Sequence, residues 1–355
     1  MKTFLLLLAA IILILAAISC AKRTNTLHIF NWAEYVDPEL IAEFEKENEC
    51  KIQYSTYNSN ENMFTKIKSS RQSLDIVFPS GDHVSILAAA GLLEILDMSL
   101  LTNYSNLDPV ILDKAKSHDP ENNYSIPYFW GLTGLMYNKQ HVPEKLVETN
   151  TWAILGDKFF ENKKKVTMLE DAREVVGAAL NFSGFDMNDT SADALRAAAK
   201  VLDLWDNNIT RYVSESYKIE VPDGTTWLAQ AFNGDALQLM EMNSDLGFIL
   251  PKEGCSLWMD SMVILKSSKN KELAHKFINF MMNPENAKRN AEYSQYATPN
   301  RSAYQLLEEE IKNNKLIYPD PVYLEKCTMI EAIGERVRNI NAIFEKISLN
   351  KRNLP

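Results

Sequence analysis

The chain has 355 residues, 46% of them hydrophobic and 24% charged, with a formal net charge of −10. That length and balance describe a globular protein with room for two lobes of ordinary size. The acidity argues against nucleic acid, whose backbone demands basic grooves, and is compatible with a cationic ligand.

At the N-terminus Lys2 precedes an unbroken apolar run from Phe4 to Ile18, followed by Ser19 and Cys20. The run is short for a bilayer span and has the form of a secretory signal occupying residues 1–19. Ala17-Ile18-Ser19-Cys20 resembles a bacterial lipobox, although Ala17 departs from the usual leucine. The resemblance implies that Cys20 is diacylated and becomes the first mature residue, tethered through the polar stretch 21–25. A plain secretory peptide with an incidental cysteine is the alternative. No later segment reads as a transmembrane helix. Cys50, Cys255 and Cys327 allow at most one intramolecular disulfide, which excludes a disulfide scaffold.

From Thr26 the pattern alternates strand and helix, beginning with the apolar strand 27–30. Asp37 as N-cap and Pro38 at the first helical position open a helix that carries Leu40, Ile41 and Phe44 on one face. Strands at 51–54 and 75–78 flank a helix at 62–69, and a helix at 84–90 stops at Gly91 in a left-handed cap. This order predicts a parallel sheet with helices on both faces. Ligands of such sheets bind beyond the carboxyl ends of the strands, so loops 31–36, 80–83 and the segment after strand 165–169 become candidate walls. A second α/β segment covers 135–250, with helices at 171–180 and 192–205. Strand 258–264, a long amphipathic helix at 271–282 and helical patterns at 306–313 and 330–347 complete the chain.

Six stretches in order, 31–36, 101–108, 124–128, 170–175, 258–261 and 298–300, resemble the spermidine/putrescine-binding periplasmic proteins, a branch of the type II extracellular solute-binding family. The resemblance implies an α/β, two-lobe periplasmic-binding-protein-like fold with the ligand in the inter-lobe cleft. The N-lobe would comprise 26–131 plus 259–304 and the C-lobe 135–255 plus 308–350, with crossings near 131–134, 255–258 and 304–308. It further implies a monomer in the periplasmic space, held to a bacterial membrane only through its lipid. Such a protein captures a polyamine and delivers it to an inner-membrane, ATP-driven ABC permease, without cofactor, metal or nucleic acid.

A polyamine is a methylene chain carrying ammonium groups, so its receptor needs carboxylates for the charges and aromatic faces for the methylenes. Trp32 and Tyr35 offer faces and Glu34 an acid within one loop, unless that loop simply closes over its own core. Asp171 and Glu174 lie three apart at a helix start and point the same way, yet acids there also cap the backbone. The flanking match through Arg173 and Val175 favours a ligand role, with Asp171 at an inner nitrogen and Glu174 at a terminal one. Trp258 and Asp260 alternate along a strand and share a face; a buried strand seldom keeps an aspartate without a partner. Tyr296 completes the aromatic box by resemblance alone.

Four positions depart from the family. Ala33 replaces a threonine, and Asp82 stands where relatives have a tyrosine, either contacting the ligand or capping the helix that follows. An expected tryptophan falls at or near Met242, and a glutamine position falls at about Ile330, next to Glu331. Rival readings are a binder of the same fold for another small cationic solute, an acidic-cleft enzyme such as a two-carboxylate glycosidase, and a surface adhesin. Against the enzyme stand the lack of a nucleophile elbow or phosphate-binding glycine loop, and five histidines, His28, His83, His118, His141 and His275, that read as isolated.

Overall fold

The computed structural model describes residues 25–69 and 74–352; the signal segment and Cys20 lie outside them. Strands β1 (Asn25–Trp32), β2 (Cys50–Tyr57) and β3 (Ile76–Val77) alternate with helices α1 (Pro38–Glu47), α2 (Asn60–Ser69) and α3 (Gly81–Ala89). The Asp37 carboxylate accepts the amide of Glu39 and starts α1, whose buried residues are Leu40 and Phe44. Strand β4 (Ser125–Asn138) leads into β5 (Val166–Leu169), α4 (Ala172–Phe182), α5 (Ala192–Trp205), β6 (Ile209–Val213), β7 (Leu228–Phe232), α6 (Asn233–Met242) and β8 (Leu246–Ile249). Then come β9 (Ser256–Ile264), α7 (Lys271–Met281), α8 (Pro284–Ser294), β10 (Thr328–Met329) and α9 (Val337–Arg352), with short helical turns between them.

The strands run in the order β2-β1-β3-β9-β4-β7-β5-β6, with β8 also on β4 and β10 on β9. β1 is parallel to β2 and β3, as strand-helix-strand connections require, and β5 is parallel to β6 and β7. The expectation of a purely parallel sheet needs correction: β9 enters antiparallel between β3 and β4, and β4 is antiparallel to β7 and β8. These two long strands are not products of a helical crossover, so nothing forces them into the parallel direction. β4 pairs with β9 up to Leu132 and with β7 from Thr133, so one strand serves both halves of the molecule.

Each half has its own core. In the first, Phe44 meets Phe277 and Phe280 edge-on at centroid distances of 5.1 and 5.4 Å. In the second, α4 and α5 enclose Trp152, Trp205 and Phe160. The two halves form the two-lobe α/β fold that the strand-helix order and the resemblance imply.

Two helical expectations are revised. The 306–313 pattern splits into Arg301–Leu306 and Glu309–Asn313, because Leu307 is extended and buried. The 330–347 pattern becomes helical only at Val337, after Gly334 at φ +60°, because Ile330 is turned inward and the Glu331 carbonyl is held by Arg173. Near the crossing strands, the Cys255 and Cys327 sulfurs are 3.8 Å apart, both as free thiols.

Candidate binding cleft

The carboxyl ends of β1, β3, β5 and β7 face a cleft between the halves that encloses about 1100 Å³, partly open to solvent. Trp32, Tyr35, Asp82, Asp171, Glu174, Trp258, Asp260 and Tyr296 all line it. Glu34 does not. It sits beside the mouth at φ +55°, with 63% of its side chain exposed, and its carboxylate is 3.6 Å from Lys218 Nζ.

Asp260 is the most constrained of these. Its backbone belongs to β9 and it is 5% exposed. Tyr35 Oη donates to one carboxylate oxygen and Ser80 Oγ to the other, each at 2.7 Å. Among the described residues no cationic side chain pairs with it. Burial pushes its pKa up to about 7, although both hydroxyls stabilise the charge. Tyr35 is therefore more than a wall: it is buried, edge-on to Tyr128, Phe129 and Tyr296, and holds Asp260 by its hydroxyl.

Asp171 is both cap and cleft residue. Its Oδ1 accepts the amides of Arg173 and Glu174 at 2.8 and 3.1 Å while the carboxylate faces the cleft. Glu174, one turn in, takes a 2.7 Å bond from Ser256 Oγ. Burial raises the pKa of both; Glu61 adds to the effect at Asp171, and Asp171 adds to it at Glu174. Arg173 spends its guanidinium on the Glu331 carbonyl and Asn188 Oδ1, bracing the C-terminal segment. Asp82 lies in the first turn of α3, which begins three residues earlier than expected because Ser80 is extended. Burial alone would raise its pKa, but His83, 3.0 Å away, holds it below the usual value. His83 is thus not isolated, and it shares the cleft lining with His118. Among the described residues no cluster of three or more His, Cys, Asp or Glu side chains fits a metal ion.

The aromatic faces are held by close backbone. Trp258 packs edge-on to Tyr296 at 5.0 Å and to Phe232 at 5.7 Å. A Cβ at Gly131 would fall 2.3 Å from the Trp258 ring, and one at Gly234 would fall 2.3 Å from Tyr296. Trp32 donates its indole N–H to the Phe78 carbonyl at 3.0 Å and tilts against Tyr57.

Met242 is corrected: it ends α6, is 78% exposed and takes no part in the cleft. The aromatic at that wall is Phe232, at the carboxyl end of β7, where the strand-end rule would have found it had 228–232 been read as a strand. Ile330 does line the cleft. Sequence reasoning also missed Lys218, Glu215 and Asp235. Lys218 lies 2.6 Å from Glu215 and 3.3 Å from Asp235, and Asp235 accepts from Tyr296 Oη at 2.8 Å. Burial would depress the Lys218 pKa, but the charges of Asp235, Glu215 and Glu34 outweigh it and raise the value. Glu215 and Lys218 are an i,i+3 pair that spacing could have flagged, whereas Asp235 and Glu34 reach Lys218 only through the tertiary fold. Acids around the cleft outnumber its two permanent cations, Arg173 and Lys218, which selects a cationic solute.

Two α/β lobes flanking an acidic and aromatic cleft are the architecture of a solute-binding protein. The chain belongs to the family of bacterial extracellular solute-binding proteins, whose family model matches residues 39–319. It is similar to the spermidine/putrescine-binding periplasmic protein of Escherichia coli (strain K12), 39% identical over 332 residues, covering 93% of this chain and 94% of the relative. Among solved structures it resembles the spermidine/putrescine transporter substrate-binding protein PotD of Streptococcus pneumoniae, at 35% identity and TM-score 0.80, with 92% of this chain and all of that one covered. The TpPotD lipoprotein of Treponema pallidum aligns at 29% identity and TM-score 0.80, over 92% of this chain and all of that one.

Proposed function

We propose that this protein is the polyamine-binding component of an ATP-driven import system, capturing putrescine or spermidine and delivering it to an inner-membrane ABC permease. The observation that carries this reading is Asp260, a buried carboxylate met, among the described residues, by the hydroxyls of Tyr35 and Ser80 and lining the cleft with Trp258 and Tyr296. An ammonium group both neutralises it and donates to it, and the aromatic faces suit the adjoining methylenes. The names of the relatives point to the same ligand class. In this reading Asp260, Asp171 and Glu174 meet ammonium groups, Trp32, Trp258 and Tyr296 flank the chain, Tyr35 orients Asp260, and Asp82 adds negative potential. The lobes divide at 131–134, 255–258 and 304–308, supported at the first two by the change of partners along β4 and by the start of β9. Signal cleavage before Cys20 and acylation of that cysteine tether a monomer in the periplasmic space, a reading supported by the lipobox-like sequence.

A thermal-shift panel of putrescine, cadaverine, spermidine, spermine, amino acids and sugars tests the ligand class, since a solute that binds the native state raises its melting temperature. Stabilisation by polyamines alone is expected. Stabilisation by a sugar or a neutral amino acid but by no polyamine would sink the reading.

A further inference from the structure

Two sets of carboxylates around the cleft differ in their partners. Glu34, Glu215 and Asp235 converge on the ammonium of Lys218 at 3.6, 2.6 and 3.3 Å. Asp260 and Glu174 instead take bonds from hydroxyls, and among the described residues neither is within ion-pairing distance of a lysine or arginine. The two groups occupy different parts of the cleft. Glu34 follows β1 in the first half of the molecule, Lys218 belongs to the second half, and their contact spans the mouth.

Lys218 is held firmly in this place. Only 16% of its side chain is exposed, so its charge is poorly hydrated and depends on the three acids. Asp235, one of the three, is fixed in turn by the hydroxyls of Tyr217 and Tyr296. A second ammonium brought to this end would have to share Glu34, Glu215 and Asp235 with Lys218 and approach a like charge at close range. Among the described residues Asp260 has no such competitor, and at Glu174 the nearby cation, Arg173, is engaged by the Glu331 carbonyl and Asn188.

We propose that Lys218 acts as a specificity-determining residue: its side chain supplies a built-in ammonium at the Glu34 end of the cleft, so that the site prefers a diamine to a triamine. The inference rests on the polyamine reading and deepens it. It reassigns Glu34 from the ligand to Lys218, and it leaves Asp260 and the Asp171–Glu174 pair as the two places where a ligand charge is taken up.

Calorimetric titration of the mature protein with putrescine and with spermidine tests it. The wild type is expected to bind putrescine more tightly. Lys218→Met keeps an unbranched side chain one atom shorter and without the charge and should move the ratio of the two affinities at least tenfold toward spermidine, whereas Lys218→Arg should hold the ratio within threefold. Equal or tighter spermidine binding by the wild type, or a smaller shift in Lys218→Met, overturns the inference. Should Lys218→Met fail to fold, Glu34→Gln, changed at an exposed side chain, is decisive. Putrescine affinity within threefold of wild type supports the assignment, and a tenfold loss places Glu34 on the ligand and overturns it. If the wild type binds neither amine, the polyamine reading itself falls, an outcome distinct from a failure of the Lys218 assignment.

Discussion

Replacing Asp260 by asparagine separates what this side chain does for the ligand from what it does to the empty protein. A buried aspartate whose pKa has risen from an ordinary value near 3.9 to about 7 carries about 4 kcal/mol against its ionised form. Because the folded value lies above the unfolded one, the empty protein loses this stability as pH rises from about 4 to about 7, and above that range the loss is complete. Asparagine has no charge to bury. Its amide nitrogen replaces one acceptor, so the Tyr35 or Ser80 hydroxyl must turn, at a cost of about 1–2 kcal/mol. At pH 8 the net expectation is an empty variant about 2–3 kcal/mol more stable than wild type. Binding moves the other way. Removing the carboxylate from a buried ion pair costs about 3–5 kcal/mol, a weakening of roughly a hundredfold or more. Thermal melts at pH 8 with and without putrescine, paired with calorimetry, read both effects. The expected pattern is a higher melting temperature without ligand and a much smaller ligand-induced rise. Affinity within threefold of wild type would refute the pairing of Asp260 with an ammonium group.

Polyamine affinity should climb with pH through about 7 to 8, because ligand binding requires Asp260 and Glu174 to give up their protons. Titration in two buffers of different ionisation enthalpy at pH 7 should show proton release, and identical apparent enthalpies would contradict it. Gly131→Ala should push the Trp258 ring out of place, lowering stability by about 1–3 kcal/mol and weakening polyamine binding in the same calorimetric assay. Binding should also change tryptophan fluorescence through Trp32 and Trp258, and replacing both with phenylalanine should remove most of the response. A full response in that double variant would place the ligand elsewhere.

Much of the fold was legible because its signals are local. Asp37-Pro38 marks a helix start by the chemistry of the first turn, Gly91 marks a stop, and Ala192–Trp205 is helical over the span its apolar spacing implies. The alternation of Trp258 and Asp260 placed both on one wall for the same reason. What escaped depends on partners distant in the chain. The direction of β9 follows from its insertion between β3 and β4. Tyr35 reads as an aromatic face but is defined by Asp260, 225 positions away. Lys218 has one local partner, Glu215 three residues earlier, but its other two acids come from loop 31–36 and α6. Met242 stands exposed at the end of α6, and the aromatic wall is supplied instead by Phe232 at the end of β7, a strand whose position in the sheet no local pattern reveals.

The shared strand β4 bears on how the halves can separate. Its ladder with β9 runs without interruption from Phe129 to Leu132, and its ladder with β7 starts at the next residue. At this crossing the halves are joined by paired strands rather than a slack loop, so opening the cleft means twisting a ribbon whose amides stay bonded. Such a joint acts as a torsion spring: it limits the angle, returns the lobes to register, and should keep the crossing amides among the slowest to exchange with deuterium even while the cleft opens and closes.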